Sequence, residues 1–320
     1  MSQHLIIENK DVRLKLEGQA LNIVYPDRKP ASIPLRMLEQ LTLIANIEIQ
    51  VQLLHKLAQH GVSVGFMNSR NPEIFTECIN QQHGEFKRRE KQYALIHSPS
   101  HRLHASRQLV FAKLQSQSQH LLQLSQLRHS QHRLLLKGQQ AIECLFPALH
   151  DASYQQLLGL EGTAARLYFN SFTGVFSPSW GFTGRNKRPP KDPVNALLSL
   201  GYTMLTREAS RALYQAGLDP AFGFYHKVSS GRHSLACDLA ELYRCQIDHL
   251  IFQLLDDDKL SLRHFGNQLN ACLLTKEGRN IFFPAYQTGI KSCRRALRLT
   301  AHRWAKDMMD VPLPDWISEQ

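Results

Sequence analysis

The apolar residues of this 320-residue chain pass from mainly strand-like to helical spacing, and that change limits what the chain can fold into. Near the start, Val12, Leu14 and Leu16 alternate with Arg13, Lys15 and Glu17, the two-residue period of a strand with one face buried. Leu5–Ile7 and Leu21–Tyr25 have the same texture, and the Pro26–Pro30 stretch between prolines reads as a turn. Leu41–Ala45 and Val62–Met67 are short apolar runs suited to buried strands. Between them Ile49, Leu53, Leu54 and Leu57 predict one helix, stopped by Gly61. Beyond about residue 105 the spacing becomes helical. Leu114, Leu121 and Leu124 mark a helix over 105–136 whose Gln, Ser and His residues read as a polar face. A second helix runs over 154–168. Asp192 and Pro193 open a third as N-cap and first-turn proline, and further helices follow Cys237 and cover 291–304. Asn71-Pro72, the run Lys87–Arg89 and Ser98-Pro99-Ser100 suggest a linker with surface loops. The expected class is α+β: a β-rich N-terminal domain (1–80), a linker (81–104) and a larger all-α C-terminal domain (105–320).

Formal charge is +11, which favours a polyanionic partner, nucleic acid before anionic membrane; a soluble protein that is merely basic is the plainer reading. No run approaches the roughly 18 apolar residues of a membrane span, and the first residues lack the pattern of a secretory leader. The six cysteines are scattered without a Cys-x-x-Cys pair, as expected of reduced thiols in a cytoplasmic protein with no membrane role.

Three stretches could carry chemistry. In Gly223–Arg244, His226 precedes a turn and Asp238 and Glu241 follow on a helix. At about 100° per residue, Asp238, Glu241, Cys245 and His249 share one face, opposite a stripe of Tyr243, Ile247, Leu250 and Leu254. That face is either solvated surface or, with His226, part of an open site for a hard divalent cation such as Mg²⁺ or Mn²⁺. A mononuclear iron site fits less well, because it wants two histidines and one acid. The second stretch places Arg185, Lys187, Arg188 and Lys191 beside Trp180 and Phe182, suited to phosphates and splayed bases or simply a basic loop. The third is Arg294, Arg295, Arg298 and Arg303 near the end, either a phosphate-contacting face or a solvated one.

Three blocks in order then carry a resemblance: Leu160-Glu-Gly-Thr-Ala-Ala-Arg-Leu-Tyr-Phe169, Arg188-Pro-Pro-Lys-Asp-Pro-Val-Asn195 running on to Tyr202, and Gly223-Phe-Tyr-His226 with Ser234-Leu-Ala-Cys-Asp-Leu-Ala-Glu241. Together they resemble the family of CRISPR-associated protein one, which captures spacers. The resemblance implies a metal-dependent DNA endonuclease and integrase that inserts short DNA fragments into a repeat array by transesterification, in antiviral defence. It implies Glu161, His226 and Glu241 as catalytic metal ligands for Mg²⁺ or Mn²⁺, with Asp238 as an accessory acid. Arg166, Asn195 and Tyr202 fall in matching blocks, Arg166 as a DNA contact. A homodimer through the N-terminal domains and a small partner, CRISPR-associated protein two, are implied as well. The alternative is a non-catalytic DNA-binding scaffold that keeps the fold.

Overall fold

The computed structural model describes residues 3–67, 75–78, 86–186, 189–268 and 270–312, and the chain divides into two compact units, Met1–Gln82 and His83–Gln320. The first unit is built from strands. β1 (Gln3–Ile7), β5 (Leu38–Leu43) and β6 (Ser63–Met67) run parallel, and β7 (Phe75–Cys78) closes that sheet antiparallel to β6. β2 (Arg13–Glu17), β3 (Ala20–Val24) and β4 (Ala31–Pro34) form a separate antiparallel meander. The alternation at residues 12–17 does what its period requires: Val12 and Leu14 are buried while Arg13 and Lys15 face out. α1 (Val51–Gln59) crosses between the parallel strands β5 and β6 and buries Leu53 and Leu57 against the same apolar cluster. β4 and β7 lie where no strand is expected from the sequence. β4 has an alternating half-buried pattern, typical of the edge of a meander.

The second unit is mostly helical, so the α+β class holds. One hairpin interrupts it, β8 (Phe265–Gln268) with β9 (Ala271–Leu274). The expected surface loops of 81–104 contain α2 (Phe86–His97), with residues 79–85 and the Asn71-Pro72 signal outside the described residues. This helix earns its place through polar contacts more than through an apolar stripe. Buried Gln92 donates to the carbonyls of Asp219 and Phe222 and accepts from the Asp219 N–H, and Tyr93 donates to Asp219 Oδ2 at 2.7 Å. Arg88, in the Lys87–Arg89 run expected among surface loops, donates to the carbonyl of Ala216 at the end of another helix, where a cation suits the unpaired carbonyls.

α3 (Pro99–Leu127) and α4 (His132–Glu143) replace the single helix expected over 105–136, with a break at 128–131. Leu114, Leu121 and Leu124 are fully buried as their spacing predicts. The polar side chains divide: Gln115, Gln119, Gln123 and Gln126 lie on an exposed face as expected, whereas Gln117, Ser118, His120 and Ser125 are buried, because α3 is covered by α4 and by α6 (Tyr154–Thr173). α5 (Phe146–Leu149) is a single turn between them.

α7 (Pro193–Gln215) is the central helix, packed by α8 (Ser234–Glu241), α9 (Arg244–Asp256) and α11 (Lys291–Asp310). It starts as the sequence predicts: Asp192 accepts from the Asn195 N–H at 2.9 Å, with Pro193 in the first turn. Gly201 lets α9 approach, since a Cβ there would stand 2.5 Å from Ile247 Cγ2. α10 (Lys276–Gly289) lies before α11 and carries Pro284 within it. No helix among the described residues is long and apolar enough to cross a membrane.

Gly201→Ala is therefore expected to cost about 1–3 kcal/mol by overpacking, and Ile247→Ala about 2–5 kcal/mol by leaving a cavity. The double variant should cost less than the two together, because each removes part of the other's problem. Guanidinium denaturation of the four proteins checks this, and strict additivity would show that this contact does not set the spacing of α7 and α9.

Candidate active site

The site is organised by a loop that folds back on α8. The loop carbonyl of Pro220 accepts the N–H groups of Leu235 and Ala236, which are among the four that a helix start leaves without partners. One turn further along α8, Asp238 points into the same loop and is 1% exposed. Its Oδ2 accepts from the N–H groups of Phe224 (2.7 Å) and Tyr225 (3.1 Å), and its Oδ1 from the N–H of His226 (2.9 Å). The ring Nδ1 of His226 lies 2.7 Å from the same Oδ1. A buried carboxylate is tolerated only when so satisfied. Gly223 makes the closure possible: a Cβ there would sit 2.8 Å from Asp238 Oδ2 and 2.7 Å from the backbone of Ser234.

This arrangement gives the two α8 acids different work. Asp238 accepts four hydrogen bonds and is a positioning residue. With Nδ1–H of His226 donated to it, Nε2 is left as the basic nitrogen, the pattern by which a carboxylate orients a ligating imidazole. Of the two readings of this helix face, the solvated surface is the one that fails, since Asp238 and Glu241 are both buried. The continuous helix behind that expectation is broken at Leu242–Tyr243, between α8 and α9, so the angular argument that placed Cys245 and His249 with the acids fails at the break.

Glu241 ends α8, and Glu161 reaches the same place from α6. Lys113, from α3, joins them. Its Nζ pairs with Glu161 Oε1 and lies 2.8 Å from Glu241 Oε2. The contact with Glu241 is close but poorly aligned, for Oε2 is buried without a hydrogen bond of good geometry. The other Glu241 oxygen is 2.9 Å from Arg244 Nη2. Burial alone would push the Glu241 carboxyl up, but the Arg244 guanidinium and Lys113 ammonium outweigh it and hold the group down at about 2. Burial would likewise pull the Lys113 ammonium down; the carboxylates of Glu241 and Glu161 more than reverse this and raise it. The His226 ring is near enough to add to the field at Glu241.

Beneath the site runs a buried polar network that nothing in the sequence pattern announced. Arg244 lies over the Tyr202 ring, 4.7 Å from its centre. The Tyr202 hydroxyl donates to Asp248 Oδ1, and the Tyr168 hydroxyl to Asp248 Oδ2 at 2.7 Å. Tyr168 is also 2.7 Å from His120 Nδ1. Burial raises Asp248 to about 6 against the pull of both tyrosines. Burial and His249 press His120 down to about 3, and burial with the Asp248 charge pushes the Cys245 thiol up to about 12. His120, Cys245 and Asp248 bring ligand-type atoms within 4.8 Å of one another, the one such trio among the described residues, and both Asp248 oxygens in it are already accepting from tyrosines. Glu161, His226 and Glu241 are spread more widely, with Lys113 bridging the two glutamates.

The other residues singled out in the sequence divide by exposure. Arg166 and Arg295 are exposed, and Arg298 is half-buried. Arg185 is turned inward, donating to Asn195 Oδ1 at 2.7 Å and Ser199 Oγ at 3.1 Å, while Asn195 itself ties Asp192 to the carbonyl of Gly184. Arg294 makes a two-pronged ion pair with buried Glu208, at 3.1 and 3.0 Å. Lys187 and Arg188 lie outside the described residues. Neither Lys113 nor Arg244 stands out as a site residue in the sequence. Lys113 falls on the buried stripe of Val110, Leu114, Leu121 and Leu124, and a lysine on such a stripe calls for acidic partners; that was the available signal.

As to fit for a divalent ion, the chain offers two carboxylates, one imidazole with its Nδ1 fixed, and a spot between the carboxylates where a cationic group already sits. Oxygen-rich donors with a single nitrogen suit Mg²⁺ or Mn²⁺, so the residues fit.

Comparison with known proteins agrees over nearly the whole chain. Residues 5–288 match the family model described as CRISPR associated protein Cas1. A CRISPR-associated endonuclease Cas1 from Thermodesulfovibrio yellowstonii is 33% identical over 314 residues, 96% of this chain and 97% of that one. Among solved structures, a casposase bound to integration product superposes with a TM-score of 0.83 at 19% identity, covering 97% of this chain and 91% of that one. A Cas6-RT-Cas1–Cas2 complex matches with a TM-score of 0.81 at 24% identity, over 97% of this chain and 35% of that one. The chain belongs to the Cas1 family of CRISPR-associated endonucleases.

Proposed function

We propose that this chain is a metal-dependent DNA integrase that inserts short DNA fragments into a CRISPR repeat array, with Glu161, His226 and Glu241 as the ligands of a Mg²⁺ or Mn²⁺ ion. The observation that carries the reading is the Asp238–His226 pair set beside two carboxylates that enclose a cation. A divalent ion held there would supply Lewis-acid stabilisation of the scissile phosphate and activation of the attacking hydroxyl. The reaction fitting this chemistry is transesterification: the 3′-hydroxyl of a fragment attacks a repeat phosphodiester, one P–O bond forms, one breaks, and the leaving oxygen takes up a proton.

The chain's own residues have separable roles in this account. Asp238 holds His226 in the tautomer that offers Nε2. Arg244 fixes one oxygen of Glu241 and keeps that carboxylate ionised, its own position set by the Tyr202 ring. Arg166, Arg295 and Arg298, with Lys187 and Arg188, supply phosphate contacts along the DNA, and the net charge of +11 supports a polyanionic substrate. Arg185 and Arg294, as their hydrogen bonds suggest, shape the fold around the site. The N-terminal unit is assigned to homodimer formation on the family resemblance. Cas2 is proposed as a partner, supported by the matched structure whose name places a Cas1 with Cas2.

Glu161→Ala should abolish cleavage and joining of branched DNA with Mg²⁺ or Mn²⁺ while leaving salt-sensitive DNA binding largely intact. Normal joining by that variant would exclude this site, and cleavage unaffected by EDTA in the wild type would exclude a divalent ion. Asp238→Asn places an amide among three backbone donors and loses the grip on His226. Outer partners of ligating histidines typically matter by about 10–100-fold in metal affinity or rate, and a drop of that size in both is expected. Calorimetric Mn²⁺ titration beside a joining assay measures the two, and an unchanged Mn²⁺ affinity would remove Asp238 from the account.

A further inference from the structure

We infer that Lys113 is a built-in placeholder for the divalent cation: its ammonium holds the metal-free site together, and metal binding must displace it. This rests on the reading of Glu161, His226 and Glu241 as the ligand set. Lys113 is only 8% exposed, and it arrives from α3, an element that supplies none of the proposed ligands. Its Nζ meets Glu161 on α6 and Glu241 at the end of α8 at once, so it occupies the position toward which both carboxylates converge. Two carboxylates this close, Glu241 buried and Glu161 with 23% of its side chain exposed, repel each other unless a cation lies between them.

Both oxygens of Glu241 are engaged by cations: Oε1 by Arg244 at 2.9 Å and Oε2 by Lys113 at 2.8 Å. The two contacts differ in kind. Arg244 is fixed by the aromatic face of Tyr202 as well. Lys113 is carried on a flexible four-carbon stem, and its contact with Oε2 lacks hydrogen-bond alignment. A point charge on a flexible stem is the group that can leave. A dication and an ammonium cannot share the space between the same two carboxylates without strong repulsion, so the observed arrangement and the metal-loaded one exclude each other. The placement stabilises the empty site and weakens metal affinity at the same time.

The test is Mn²⁺ binding, followed by electron paramagnetic resonance of the free ion, to wild-type protein, Lys113→Met and Lys113→Arg. Lys113→Met keeps the length of the stem and removes the charge. It should bind Mn²⁺ about tenfold more tightly or better, whereas Lys113→Arg should stay within about threefold of wild type. Without metal, Lys113→Met should melt at a lower temperature than wild type, and Mn²⁺ should raise its melting temperature by a larger margin. If Lys113→Met does not fold without metal, Lys113→Gln, which can still bond one carboxylate, takes its place with the same expectations. Equal or weaker Mn²⁺ affinity in the neutral variant overturns the placeholder while leaving the metal site standing. Failure of wild type and neutral variant alike to bind Mn²⁺ overturns the metal reading itself, and the placeholder with it.

Discussion

The site depends on one buried carboxylate. Asp238 collects three backbone N–H groups and the ring of His226 from a loop with no regular structure of its own. Hydrogen bonds to a charged acceptor are each worth about 1.5–3 kcal/mol net, and together they turn a flexible segment into a fixed one. The same acid sits on α8, one turn before Glu241, so the helix carrying one proposed ligand also fixes the residue that orients another. Gly223 belongs to this interaction, for only a residue without a side chain lets the loop close on the carboxylate.

Around that pair the charges are arranged in layers. Glu241 is ionised because two cations outweigh the cost of burying it, and those cations are kept apart by being anchored differently, one on an aromatic ring and one on a flexible stem. Arg244 connects the site downward to Tyr202, Asp248, Tyr168 and His120, a network whose members come from α3, α6, α7 and α9. Such networks are costly when incomplete and rigid when satisfied. This one therefore fixes how four helices stand beneath the acids, and the position of Glu161 relative to Glu241 follows from that stacking.

Much of the architecture was legible in the sequence because it follows from period. Alternation over residues 12–17 gives a strand, and Asp192 with Pro193 gives the start of α7 where it is found. α2 was not legible. Its buried positions include Lys91 and Gln92, and a helix held by side-chain hydrogen bonds to a distant loop has no apolar stripe to read. On α3 the glutamines at 115, 119, 123 and 126 are exposed as a polar face should be, but the buried Gln117, Ser118, His120 and Ser125 were not legible, since a buried Ser or His is indistinguishable in spacing from an exposed one. At the site, periodicity left Asp238 and Glu241 either on a solvated surface or in an open cation site, because it extends one helix through a break that only packing dictates. The choice of Glu241 over Asp238 as a proposed ligand came from the family resemblance; that Asp238 accepts the N–H groups of the loop could be seen only with the loop in place.

The central claim is that a divalent ion belongs between Glu161, His226 and Glu241. Anomalous diffraction at the manganese edge, from crystals of the protein grown with Mn²⁺, tests this most directly. The account predicts a single strong peak touching Glu161, His226 Nε2 and Glu241, with the Lys113 ammonium moved out of the space between the carboxylates. A peak instead within the buried trio of His120, Cys245 and Asp248, or none beside Glu241 with Lys113 still in place, would contradict it.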